Sequence, residues 1–186
     1  MASGEATVPR RADARRNRAR ILAAAEAVFA EKGESASTEE VARRAGVAVG
    51  TVFRHFPTKS ELVEAILMGV LQRLMDHAEA LHRTEPAEGL FLLYRDVVAQ
   101  ASAQRSVIDL MFRAEGVRLT TGVSALRKAV GVLLDDARRA GSVRPDVALD
   151  EVMALLAALS EGAVSGEWGE ELRQRTLAVV FAGLRA

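Results

Sequence analysis

Between positions 49 and 55 the chain gathers an unusual set of side chains: the apolar groups of Val49 and Phe53, the hydroxyl of Thr51, the guanidinium of Arg54 and the imidazole of His55. This mixture is odd for a solvated surface. It suits a DNA groove, where methyl groups meet apolar side chains, phosphates accept from hydroxyls, and an arginine grips guanine or phosphate. Catalysis finds no comparable support. There is no H-E-x-x-H, G-x-S-x-G, P-loop or dinucleotide fingerprint. There is also no cysteine to act as nucleophile, metal ligand or disulfide partner. The chain is therefore expected to be no enzyme, with no catalytic residue, no metal and no cofactor. Outside this run the histidines are His77 and His82. Their spacing puts them on different faces of a helix, so they are read as surface residues.

These side chains need rigid elements to present them. Ser37 is a good N-cap, with Glu40 at capping-box spacing and Glu39 also in the first turn. Val41 and Ala45 then share a face, and Gly46 is placed to end the helix in the left-handed conformation. Val47 plugs the turn. A second short helix runs from about Ala48 to His55, with Val52 and Phe56 inward. Pro57 stops it, and Thr58 caps a third helix with Glu61 three residues on. Lys59 sits in that first turn, where the helix dipole disfavours a cation unless a phosphate lies nearby. Residues 37–56 thus read as a helix-turn-helix. An ordinary helical hairpin with a surface arginine would share the same length and caps.

The run ILAAAEAVFAEKG, followed by STEEVARRAGVAVGTVFRHFPTKSELVEAI, resembles the N-terminal domain of the tetracycline-repressor (TetR/AcrR) family of bacterial transcriptional regulators. The likeness spans roughly residues 17 to 66 without a gap. It is most specific at A-G-V, at G-T-hydrophobic-aromatic and at F-P-T-K. The resemblance implies that Val49, Thr51, Phe53, Arg54 and His55 face the groove and that Ser37, Thr38 and Lys59 lie at phosphates. It further implies a cytoplasmic bacterial homodimer on a double-stranded, pseudo-palindromic operator, with a small-molecule effector site in the C-terminal part. Repression is the usual outcome in this family. Two positions depart from the family pattern: Phe53 stands where tyrosine is most frequent, and Ala48 where a polar cap is common. With Val49 unable to donate, base readout falls to Arg54, Thr51 and methyl contacts.

The 186 residues are 49% hydrophobic, enough to bury a real core, and carry no net charge. The charge is unevenly spread. Residues 1–60 hold 11 Lys and Arg against 7 Asp and Glu, a net of +4, and residues 61–186 hold 14 against 18, a net of −4. A basic head on an acidic body fits one DNA-binding end. No apolar run is long enough to span a membrane, and the N-terminus lacks the apolar core of a signal peptide. Nearly every apolar segment has helical period, so the expected fold is all-α with about nine helices. The parts are a disordered tail over 1–9, a three-helix DNA-binding domain over 10–57, and a helical ligand-binding and dimerisation domain over 58–186.

Arg10, Arg11, Arg15, Arg16, Arg18 and Arg20 form a basic cluster. It reads either as a solvated helix face or as a groove-binding arm carried by Arg15 and Arg16. In the body, a helix is expected over about Arg105 to Ala114, among others. A pocket lined by Met68, Leu71, Met75, Phe91, Tyr94, Met111, Phe112, Leu126 and Trp168 would suit an adaptable apolar ligand; plain core packing is the alternative. The two closing helices suit pairing across a two-fold axis through Val152, Leu155, Leu156, Leu159, Leu177 and Val180. They would equally well complete the core of one chain. A helical protein-binding adaptor with a degenerate DNA head is the rival reading of the whole.

Overall fold

The structure, a computed structural model, describes residues 7–108 and 120–186. The elements with defined bounds are α1 (Thr7–Lys32), a single 3-10 turn (Gly33–Ser35), α2 (Thr38–Ala45), α3 (Val49–His55), α4 (Lys59–Thr84), α5 (Gly89–Ala103), α6 (Thr120–Arg139), α7 (Leu149–Ser165) and α8 (Glu170–Leu184). Residues 105–108 are helical as well, and the rest of the helix expected up to Ala114 lies outside the described residues. The fold is all-α, as the helical period requires. The extended pairing seen among the described residues is one isolated bridge between Val143 and Arg185. Helix α1 begins at Thr7, so residues 7–9 of the expected disordered tail are helical. Pro9 is tolerated there because first-turn N–H groups have no intrahelical partner in any case.

The described residues divide into two compact units, and the division falls inside α4, after Leu67, rather than at the start of that helix. The first unit runs up to Leu67 and includes the short segment from Ser106. Its core is the stripe read from the sequence: Ile21, Ala25, Val28 and Phe29 of α1 pack with Val41 and Ala45 of α2, Val52 of α3, Phe56, and Leu62, Val63 and Ile66 of α4. This packing holds two short helices, α2 and α3, that could not persist alone, since isolated helices of seven or eight residues are unstable in water.

The second unit contains Met68–Arg105 and the chain from α6 onward. Its apolar core draws Leu74, Ala78 and Leu81 from α4, Leu90, Phe91, Leu93, Tyr94 and Val98 from α5, Leu126, Val130, Leu133 and Leu134 from α6, Val152, Leu156 and Leu159 from α7, and Leu177 and Leu184 from α8. Tyr94 is buried, and its hydroxyl donates to the Val152 carbonyl at 2.8 Å, tying α5 to α7. Burial pushes the Tyr94 phenol well above its ordinary pKa. Asp136, 3% exposed, is held by His82 at 2.5 Å and by Arg139; His77 pairs with Asp96 at 2.6 Å. The two histidines expected as surface residues are exposed, and each contacts a different carboxylate.

Candidate nucleic-acid interface

The turn between α2 and α3 is built from backbone hydrogen bonds. Gly46 has φ 64° and ψ 40°. Its N–H donates to the Arg43 carbonyl at 3.2 Å, and the Val47 N–H donates to the Ala42 carbonyl at 3.0 Å. This pair is a Schellman motif, which ends the helix and reverses the chain without leaving its last carbonyls unpaired. A side chain at position 46 would strain the left-handed backbone, and its Cβ would lie 2.6 Å from Arg20 Nη2. Arg20 occupies that space because it donates to the Gly46 carbonyl at 3.2 Å.

Around the turn, charges hold the helices in place. The Ser37 hydroxyl caps α2, accepting from the Glu40 N–H at 3.2 Å. The Glu40 carboxylate is engaged by Lys32, with Arg43 at 3.8 Å, and also accepts from the Ser37 backbone. The Lys32 contact holds the Glu40 carboxyl below its usual pKa range. Arg44 grips Glu31 with both guanidinium nitrogens, at 2.6 and 2.7 Å, and this lowers the Glu31 pKa. Arg18 lies over the Phe56 ring, 5.2 Å from its centroid. Thr58 caps α4, accepting from the Glu61 N–H at 3.1 Å.

On α3, Val52 is fully buried and Phe53 is 46% exposed. Arg54 is exposed, and Val49, Thr51 and His55 are half-buried. Seven residues make fewer than two turns. Anchoring by Val52 and Phe56 therefore fixes an outward arc carrying Thr51, Phe53 and Arg54, with Val49 and His55 at its margins. Ala48 caps α3 with no side-chain hydrogen bond, as its type dictates. Gly50 has nothing within 4 Å of where a Cβ would lie, so bare backbone opens on this helix, a feature that sequence reasoning passed over.

Lys59 is exposed at the start of α4. Its Nζ donates to the Ala36 carbonyl at 3.1 Å and lies 5.4 Å from the Phe29 ring centroid. This contact joins the start of α4 to the loop before α2. The α1 arginines also separate by role. Arg18 and Arg20 make internal contacts, while Arg15 and Arg16 are exposed, Arg16 pairing with Asp13. Ser37 and Thr38 are half-buried at the α2 N-terminus.

The residues expected to line a pocket fall in several settings. Tyr94, Phe91 and Leu126 belong to the core. Met68 and Leu71 lie against Gly122, where a Cβ would sit 2.5 Å from Leu71 Cδ1. Met75 is half-buried, Trp168 packs on Gly162 and Gly166, and Met111 and Phe112 lie outside the described residues. Of the expected pairing residues, Val152, Leu156, Leu159 and Leu177 are turned into the chain's own core. Leu155 and the half-buried Val180 line a groove between α7 and α8.

Comparison with known proteins places this geometry. Residues 21–66 match the bacterial regulatory proteins of the tetR family. Residues 85–186, more than half of the chain, match the C-terminal domain of SbtR-like transcriptional regulators. The HTH-type transcriptional regulator UidR of Escherichia coli K12 is 30% identical over 190 residues, covering 94% of this chain and 92% of UidR. The HTH-type transcriptional repressor KstR2 of Mycolicibacterium smegmatis is 27% identical, covering 88% of each chain. A crystal structure of the TetR transcription regulatory protein from Mycobacterium vanbaalenii superposes with a TM-score of 0.77 at 39% identity, covering 95% of this chain and 99% of that one. These relatives are DNA-binding transcriptional regulators and not enzymes, and α2, the turn and α3 lie within the matched N-terminal region. The chain belongs to the TetR family of bacterial transcriptional regulators.

Proposed function

We propose that the protein is a homodimeric repressor that binds a pseudo-palindromic operator and is released by a small-molecule effector. The observation that carries this reading is the locked turn at Gly46, which fixes α3 with Thr51, Phe53 and Arg54 outward. Arg54 and Thr51 supply direct contacts to base edges and phosphates, and Phe53 and Val49 supply apolar contact with thymine methyls. Ser37, Thr38 and the exposed arm residues Arg15 and Arg16 supply phosphate contacts. The repressor sense is supported by the name of the KstR2 relative.

Dimerisation is supported by the outer face of α7 and α8. There Leu155, Leu172 (52% exposed) and Val179 (74% exposed) are exposed apolar side chains, beside a largely apolar groove. Two such faces related by a two-fold axis would close a four-helix contact. The dimer would hold two copies of α3 about 34 Å apart, one helical turn of DNA. An effector that prefers another spacing must weaken operator binding by linkage. Among the described residues no helix is long and apolar enough to cross a membrane, and the proposed place of action is the bacterial cytoplasm. The test is selection of bound sequences from a random DNA pool near physiological salt. An inverted repeat with two half-sites is the expected result; no enrichment would count against the proposal.

A further inference from the structure

A cleft of about 570 Å³ lies between α5 and α8, with both walls in the second compact unit. That is within the size range of small-molecule sites, about 300–1,000 Å³. It is separate from the α7–α8 groove, because it uses the opposite face of α8: Arg173, Leu177 and Phe181 line the cleft, while Val179, Val180 and Gly183 line the groove. The apolar part of the cleft is formed by Leu92, Ala178 and Phe181 over a floor of Phe91 and Leu177.

The charges of the cleft are nearly all committed. Arg185 donates to both Glu88 oxygens, at 2.9 and 2.7 Å, and stacks over Phe91 at 4.1 Å. Arg173 pairs with Glu170, and Asp96 with His77 at 2.6 Å. Arg95, exposed on α5, lines the same cleft and makes no ion pair or hydrogen bond with a described residue. Glu88 and Glu170 are thus paired with arginines and Asp96 contacts a histidine, while the Arg95 guanidinium stands without an anionic partner among the described residues, beside an apolar trough. A cationic ligand would meet an uncompensated arginine, and a neutral one would leave that arginine unanswered. A carboxylate is complementary, because the guanidinium fork can hold both of its oxygens.

We propose that the α5–α8 cleft binds an amphipathic carboxylic acid of medium chain length, its carboxylate on Arg95 and its chain along Leu92, Ala178 and Phe181. This deepens the reading of the protein as an effector-released regulator and rests on it, since it names the effector class and its place. Ligand entry would press on α8, whose opposite face lines the α7–α8 groove proposed for pairing.

The experiment is calorimetric titration of the full-length protein, without DNA, with sodium decanoate, 1-decanol and decylamine as probes. Decanoate is expected to bind more tightly than either neutral or cationic analogue. Arg95→Gln should weaken decanoate by about tenfold to a hundredfold, the usual worth of a hydrogen bond to a charged group, with decanol unchanged. Ala178→Trp, which fills the trough from an exposed position, should abolish binding of both. Circular dichroism melts confirm that each variant is folded. Decanoate binding that is absent in the wild type, indifferent to Arg95→Gln, or retained in Ala178→Trp would overturn the proposal. Because the titrations contain no DNA, failure to select an operator would count against the regulator reading alone and leave the site decided on its own isotherms.

Discussion

At the scale of single residues, the surface of α3 and the turn that holds it answer to different forces. Arg54 is exposed and contributes nothing to the core, so Arg54→Ala should leave the melting temperature unchanged. It should cost about 1–3 kcal/mol of specific DNA affinity, the usual worth of a good base contact; a quantitative band-shift assay on the selected operator decides it. Gly46→Ala should do the reverse in origin. The left-handed φ of 64° and the approach to Arg20 should destabilise the fold by about 1–2 kcal/mol, read in urea denaturation, with loss of DNA binding only as a consequence. The turn was legible in the sequence because few residues other than glycine accept that backbone. The roles of Arg18, Arg20 and Lys59 were not. A basic cluster declares charge, and only the fold shows that Arg20 reaches the Gly46 carbonyl and Lys59 the Ala36 carbonyl.

At the scale of elements, the helices were legible from apolar period, caps and breakers, whereas their facing was only partly so. Helix α7 is rich in leucine and alanine around much of its circumference, so period alone could not tell the core stripe of Val152, Leu156 and Leu159 from the outward Leu155. The link between α5 and α7 offers a test of what locks the body. Tyr94→Phe removes the hydroxyl that donates to Val152 and should cost about 1 kcal/mol in stability. The same group predicts a pH effect. Burial raises the folded-state pKa of the phenol above its unfolded value, near 10. Its contribution is therefore fully present below that value and is lost as pH rises above it. Denaturation midpoints should fall between about pH 10 and 11 in the wild type, and by less in Tyr94→Phe. Equal alkaline losses in the two proteins would show that another group is responsible.

At the scale of the whole molecule, pairing separates residues that hold one chain together from those that would join two. Leu159 sits in the core and Val179 is 74% exposed, though both belong to the closing helices. A charge at Leu159 must be buried at a cost of several kcal/mol, so Leu159→Asp should unfold the body before it reveals anything about assembly. A charge at Val179 remains in water within one chain. Val179→Asp, with Leu172→Asp added if needed, should keep the helical circular dichroism signal while shifting sedimentation from dimer to monomer. The consequence for DNA follows from effective concentration. One recognition helix on one half-site forgoes the second, intramolecular binding event, which can strengthen binding by about 10²- to 10⁴-fold. The slope of log affinity against log salt should also shrink by roughly half, since it scales at about −0.9 per phosphate neutralised and half the phosphates are contacted. A Val179→Asp, Leu172→Asp protein that sediments as a dimer would place the pairing surface elsewhere than α7 and α8. One that is monomeric yet binds the full inverted repeat with wild-type affinity and salt slope would show that operator recognition does not need the two-fold pairing at all.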